Sequence, residues 1–190
     1  MKGYVYTMFA GADPGAGWQL NDPIFGKVPT LGACMPNIRR LVLPGDYIFV
    51  VSGRVEGLRQ YVVGGFEVSE KINALAAFDR FPHLRQHKMP DGSLAGNIIV
   101  TQDGKQTPTD YHSNFEKRLE NYVVGRKPIT LEKPPEVKRA RDESLDALGD
   151  ILSKKGDRIS DVIGRWRKLD GQQIHKMINW MESIKAGARP

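Results

Sequence analysis

The first two thirds of the chain carry short β-branched and aromatic runs, and a helical spacing of apolar residues replaces them afterwards. The runs at Tyr4–Phe9, Tyr47–Val51 and Tyr61–Val68 have the composition of strands. The turn residues Pro44-Gly45-Asp46 directly precede Tyr47–Val51, and Tyr61–Val68 follows after a polar loop. These two runs predict a hairpin-like pair of strands with glycine-rich ends. Shorter strands are predicted at 97–101 and at 122–124.

The apolar positions of 70–81 predict a short amphipathic helix. Beyond Lys133-Pro134-Pro135 the same spacing returns and predicts a helix up to Leu152, another from Ser160 through Trp166, and a last one after Gly171. This change of period predicts two parts, a ligand-binding domain over residues 1–132 and a helical C-terminal extension over 133–190 that packs on it.

Residues 10–30 are rich in Gly, Pro, Asp and Asn and form an unusually long loop. Long ordered loops often contact ligands, because a rigid scaffold holds them while their backbone stays accessible. We expect Trp18, Asn21 and Asp22 to contact a ligand here, with Trp18 stacking on a base.

Composition gives a mild preference for an anionic binding partner. The chain has 190 residues and a formal net charge of +6, which favours nucleic acid or another polyanion. Because Cys34 is the only cysteine, the chain can form neither an intramolecular disulfide nor a cysteine-based zinc site. The N-terminal apolar run is too short for a signal peptide or a membrane span, so we expect a cytoplasmic protein without membrane contact.

Two further sites have a functional and a structural interpretation. In the functional interpretation, one arginine of the Arg39-Arg40 pair binds phosphate with its planar guanidinium group. In the structural interpretation, the pair forms salt bridges to Asp46, Glu67 or Glu70. Ser52-Gly53 ends a predicted strand and either lets a ligand approach the backbone or marks a bulge.

The densest group of polar side chains is Asp110-Tyr111-His112-Ser113-Asn114. His112 with Asp110 is the candidate for general acid–base chemistry, and Ser113 and Asn114 are candidates for binding a base edge. The same residues also suit a turn and a helix N-cap before Phe115.

The single cysteine and two of the histidines are further candidates. Cys34 is a candidate nucleophile or a small buried residue. His83 and His87 have a metal-ligand spacing, but the flanking Pro82 and Pro90 favour a polar loop, and we predict no metal site. No cofactor follows from these residues.

Five blocks of sequence stand out over roughly residues 4–125: Pro29 to Arg40, Gly45-Asp46-Tyr47-Ile48, Tyr61 to Glu70, Gly96 to Ile99 and His112 to Glu116. Together they resemble the nucleotide modification associated domain of type two. The resemblance implies a link to prokaryotic systems that modify the bases of DNA or other nucleic acid. The strand pattern is also similar to PUA-like folds, which include the EVE, ASCH and YTH modules and bind modified bases at one end of a small barrel.

Together these observations predict an α+β fold, namely a small, mixed and mostly antiparallel PUA-like barrel with a C-terminal helical extension. The expected function is to bind a nucleotide or modified base of nucleic acid in a base-modification or defence system, with or without processing of that base. One alternative is a base- or nucleotide-modifying enzyme that uses His112 and Asp110. Another is a protein-interaction module that forms homo-oligomers through its C-terminal helices.

Overall fold

The computed structural model describes residues 1–187, which form an α+β fold as predicted. The strands are β1 (Gly3–Thr7), β2 (Thr30–Leu31), β3 (Tyr47–Val51), β4 (Val62–Ile72), β5 (His87–Lys88), β6 (Leu94–Ala95), β7 (Tyr122–Thr130) and β8 (Trp166–Leu169). The helices are α1 (Pro36–Leu41), α2 (Ala74–Arg80), α3 (Glu116–Leu119), α4 (Pro134–Leu152), α5 (Ile159–Ile163) and α6 (Gly171–Lys185).

Six of the strands form one mixed sheet in the order β2-β7-β4-β3-β1-β8. β1 runs parallel to β3 and antiparallel to β8, whereas β3–β4 and β2–β7 are antiparallel pairs. The predicted pairing of the two central segments is confirmed, with Tyr47 opposite Glu67 and Ile48 opposite Phe66. The mixed and mostly antiparallel character of the sheet is confirmed as well.

The predicted PUA-like barrel is wrong, because this sheet is open. A barrel requires its first and last strands to pair with each other. Here β2 and β8 stand at opposite ends of the strand order, and no pairing joins them within residues 1–187. One edge strand, β8, comes from the C-terminal segment, for which the sequence predicted only helices.

One compact unit contains Met1–Gln19, Gly45–Glu67 and the described chain from Pro128 onward. β1 is an interior strand of the sheet, because β3 flanks it on one side and β8 on the other. α4 packs against α5 and α6, and α6 buries Ile174, Met177, Met181 and Ile184. Ser144 of α4 is fully buried and its Oγ accepts the backbone N–H of Val62 at 2.9 Å.

The other compact unit contains Leu20–Pro44 and Val68–Lys127. Its core gathers apolar side chains from α2, β7 and the irregular segment between 81 and 100. The buried members are Ala74, Ala77, Phe81, Leu84, Ile98, Val100, Tyr122 and Val124. Of the predicted strand at 97–101, only isolated bridges form, from Ile98 to Arg85 and from Val100 to Gln106.

The C-terminal segment differs from its prediction at one place. The helix predicted through Trp166 ends at Ile163, because Gly164 takes a φ of 65° and the chain turns into β8. The boundary predicted at 132/133 falls inside the first unit, which continues from Pro128 through the described C-terminal residues.

Candidate functional site

The carboxylate of Asp22 organises the long loop. Oδ1 accepts the N–H of Gly32 at 2.8 Å and the side-chain amide of Asn97 at 2.9 Å. Oδ2 accepts the N–H of Ala33 at 2.8 Å and that of Cys34. Asp22 is half-buried, and so is its neighbour Asn21. Because both carboxylate oxygens bind protein donors, Asp22 fixes the backbone that leads into α1.

A buried network continues from Asp22 through Asn97. The Asn97 amide also donates to Thr30 Oγ1 at 2.9 Å, and its oxygen accepts the hydroxyl of Tyr122 at 2.7 Å. Burial raises the pKa of Tyr122, so its phenol stays a donor at neutral pH. Gly32 fits only as glycine here, because a Cβ would lie 2.4 Å from the Asn97 carbonyl oxygen.

The structure separates the two arginines of the predicted pair. Arg39 is fully buried, whereas Arg40 is exposed. The Arg39 guanidinium donates to the carbonyl oxygens of Ala33 (3.4 Å), Cys34 (3.0 Å), Arg118 (3.4 Å), Glu120 (3.3 Å) and Asn121 (3.2 Å). Burial lowers the pKa of Arg39 to about 10, and the charge of Asp22 acts in the opposite direction, so Arg39 is a cation at neutral pH. These contacts give Arg39 a structural role, and phosphate binding by Arg40 stays a prediction.

Cys34 lies within this cluster and is half-buried. Burial, and next the negative charge of Asp22, raise the pKa of its thiol far above the ordinary value of 9.0. The thiolate, not the thiol, is the nucleophilic form. The environment of Cys34 therefore suits a structural thiol that is protonated at neutral pH.

Asp110 and His112 form a directed pair. His112 Nδ1 donates to Oδ1 of Asp110 at 2.6 Å; the Asp110 side chain is fully buried, and that of His112 is 35% exposed. The Gln106 amide donates to the other Asp110 oxygen at 2.7 Å and to the His112 carbonyl at 2.9 Å. No hydrogen bond to Nε2 of His112 is formed within residues 1–187. A buried carboxylate thus orients the imidazole and leaves its second nitrogen available.

The residues around this pair are exposed and polar or aromatic. Tyr111 is 89% exposed, and Ser113 and Asn114 are exposed too. Asn114 has a φ of 56°, which Asn tolerates better than most residues. The N-cap position of α3 belongs to Phe115, without a side-chain cap bond. Ser113 and Asn114 therefore do not serve as the helix cap that the sequence left open as an alternative.

Arg118 joins the two clusters of the second unit. Its Nε donates to the Ser113 carbonyl at 3.3 Å, and its Nη1 donates to the Ala33 carbonyl. The turn at 110–114 and the loop held by Asp22 and Arg39 are thus linked through one side chain. The sequence did not predict Arg118, Gln106 and Asn97 as members of these clusters. Of these three, only Asn97 lies in one of the blocks that carry the family resemblance described above.

The remaining predicted residues lie in the first unit. Ser52 is fully buried, and its Oγ accepts the N–H of Tyr61 at 3.0 Å, which is a structural contact. Trp18 is 43% exposed and packs edge-to-face on Phe9 with ring centroids 5.3 Å apart. The structure therefore assigns Trp18 and Ser52 to one unit and the other predicted site residues to the other.

None of the helices in the described residues is long and apolar enough to cross a membrane. Within the same residues, no group of three or more His, Cys, Asp or Glu side chains is arranged to hold a metal ion. Comparison with protein-family models, with curated proteins and with solved structures found no match to this chain.

Proposed function

We propose that this protein binds a nucleotide, free or within nucleic acid, at the turn of residues 110–114. The observation that carries the proposal is the imidazole of His112, which buried Asp110 orients while Nε2 stays available. Exposed Tyr111 offers an aromatic face beside it, and Ser113 and Asn114 add exposed donors and acceptors. A ring for stacking and a few directed polar groups are the elements of base recognition.

Charge supports the same class of ligand. The net charge of +6 favours an anionic partner, and exposed Arg40 is available for phosphate contact. The sequence blocks that resemble the nucleotide modification associated domain of type two include His112 to Glu116. On that basis we place the protein in a cytoplasmic base-modification or defence system that acts on a modified base.

A second candidate function is catalysis by the same pair. A carboxylate that accepts from Nδ1 of a histidine fixes the tautomer and stabilises the imidazolium that forms when Nε2 takes a proton. The Asp110–His112 contact of 2.6 Å has this arrangement. His112 would then act as a general base toward a bound nucleotide, with Asp110 as its orienting residue.

The test measures binding of a panel of nucleoside 5′-monophosphates, unmodified and carrying 5-hydroxymethylated pyrimidines, by isothermal titration calorimetry. Loss of one hydrogen bond to a charged group costs about 1.5–3 kcal/mol, so His112→Ala should weaken binding roughly 10- to 100-fold. His175→Ala is the matched control, because His175 is an exposed histidine of α6 in the other unit.

Three outcomes decide between the functions. If no member of the panel binds the wild-type protein, or if His112→Ala binds as tightly as His175→Ala, the proposal is wrong. If Asp110→Asn retains binding but mass spectrometry shows that it no longer converts a nucleotide that the wild type converts, the protein is an enzyme. If the wild type binds and converts nothing, it is a binding protein.

A further inference from the structure

Three arginines of the first unit have no carboxylate partner within residues 1–187: Arg54, Arg165 and Arg167. Arg54 and Arg165 are exposed, and Arg167 is half-buried. The other described arginines of this unit are all paired, namely Arg59 with Asp142, Arg139 with Glu143, Arg141 with Asp13 and Arg158 with Asp161. Within the described residues, these three are therefore the arginines of this unit that no carboxylate neutralises.

Backbone pairing brings these three arginines to one segment, the end of β1 and the residues after it. The carbonyl of Arg165 accepts the N–H of Thr7 at 3.1 Å, and the carbonyl of Arg54 accepts the N–H of Gly11 at 2.9 Å. Arg167 stands opposite Val5 in the β1–β8 pair. The backbones of three arginines, from two distant parts of the chain, thus flank residues 5–11.

Two exposed aromatic rings lie on or against the same segment. Phe9 is 60% exposed and Trp18, its edge-to-face partner, is 43% exposed. Trp166 of edge strand β8 is 37% exposed, and its ring lies 5.8 Å from that of Tyr4. Because side chains alternate along a strand, Trp166 lies on the opposite face of the sheet from Arg167, which is paired with Val5. Phe9, Trp18, Arg54, Arg165 and Arg167 lie on or beside residues 5–11, and we call this set the Arg/Trp surface.

The backbone that carries these rings is held in place. Gly53 donates its N–H to the Ala12 carbonyl at 2.6 Å, and a Cβ at Gly53 would lie 1.9 Å from the Phe9 carbonyl oxygen. Buried Asp13 receives both Nη1 and Nη2 of Arg141, at 2.9 and 2.7 Å. Aromatic side chains on a fixed backbone lose little conformational entropy on binding.

We propose that the Arg/Trp surface binds single-stranded nucleic acid, through guanidinium contacts to phosphate and stacking of unpaired bases on the exposed rings. Proteins that bind single strands without sequence preference combine these two elements. A duplex hides its base faces, and a lipid headgroup offers phosphate without a base to stack. The inference rests on the proposed function for its ligand class and adds that the ligand is a strand rather than a free nucleotide.

The experiment measures fluorescence anisotropy of labelled oligo-dT and oligo-U with the full chain at several salt concentrations. Arg54→Gln/Arg165→Gln/Arg167→Gln should weaken binding and reduce the slope of log affinity against log salt by about 2, since each single-strand phosphate contact contributes about 0.7. Phe9→Ala/Trp18→Ala should weaken binding by roughly 5-fold or more while leaving the salt slope unchanged.

The control variant Arg59→Gln/Lys154→Gln/Lys155→Gln removes the same formal charge from exposed positions of the same unit. It should retain most of the affinity, and thermal melting of all variants verifies that they fold. The inference is overturned if the wild type does not bind the oligonucleotides, if the control loses as much affinity as the Arg/Trp variants, or if a duplex binds as tightly as a single strand. Binding of phosphatidylserine vesicles that the same substitutions abolish would also overturn it, in favour of a membrane surface.

Failure here is separable from failure of the proposed function. The Arg/Trp variants should bind mononucleotides as the wild type does, whereas His112→Ala should lose mononucleotide binding. If oligonucleotide binding depends on the Arg/Trp surface although no mononucleotide binds, the further inference stands and the site at 110–114 is wrong.

Discussion

At the scale of single residues, two adjacent arginines have opposite surroundings, and they should respond differently to the same substitution. Arg39→Gln removes a buried cation and the donors that reach the carbonyl oxygens of Cys34 and of the 118–121 segment. We expect the free energy of unfolding to fall by about 3 kcal/mol or more, because buried groups that lose their partners are costly. Arg40→Gln, at the exposed neighbour, should change it by less than about 0.5 kcal/mol. Urea denaturation of both variants tests this, and equal effects would contradict it.

The thiol of Cys34 gives a prediction for reactivity and pH. Because burial and Asp22 raise its pKa in the folded state, iodoacetamide should label Cys34 in native protein on the order of 100-fold more slowly than in urea-unfolded protein at the same pH. The raised pKa also means that the folded state holds the proton more tightly than the unfolded state. This contribution to stability is complete below the ordinary thiol pKa and is lost as pH rises above it. Cys34→Ala should therefore lose less stability than the wild type above about pH 9, and fast native labelling would contradict the assignment.

At the scale of elements, one helix is tied to the first loop by a buried ion pair. Arg141 of α4 donates two hydrogen bonds to Asp13 and lies with its guanidinium 4.7 Å from the centroid of the Tyr61 ring. Arg141→Met leaves the buried Asp13 charge without its partner and should cost about 3–5 kcal/mol. Arg139→Met is the matched control on the same helix, since its partner Glu143 is partly exposed, and it should cost about 1 kcal/mol or less. A double-mutant cycle with Asp13→Asn measures the coupling, and a coupling near zero would show that the pair is not stabilising.

At the scale of the whole molecule, the C-terminal segment belongs to the first unit by its contacts. It supplies β8 as the antiparallel neighbour of β1, and it supplies Ser144 as the acceptor for Val62. Removing residues 133–190 would expose both β1 and a buried N–H, so we expect residues 1–132 alone to lose cooperative thermal unfolding. Circular dichroism melts of the fragment and the full chain measure this, and adding the 133–190 segment in trans should restore the transition. A fragment that melts cooperatively by itself would instead support the division at 132/133.

The amino-acid sequence by itself determined the elements whose signals are local. Tyr47–Val51 has the composition of a strand throughout, and β3 has these bounds. The spacing in the C-terminal third predicted α4 and α6, because a helix that packs on a core repeats its apolar face every three to four residues. The group at Asp110 and His112 was also visible, since the two residues are close in sequence and their contact needs no long-range pairing.

Only the tertiary structure decided the features that join distant parts of the chain. Trp166–Leu169 became an edge strand because β1 offered an unpaired side, a condition that no local pattern encodes. For the same reason the sheet stayed open, since closure depends on which strands become neighbours. Tertiary structure also decided the different roles of Arg39 and Arg40, which are adjacent in α1. The helix directs Arg39 toward the carbonyl oxygens of 118–121 and Arg40 toward solvent.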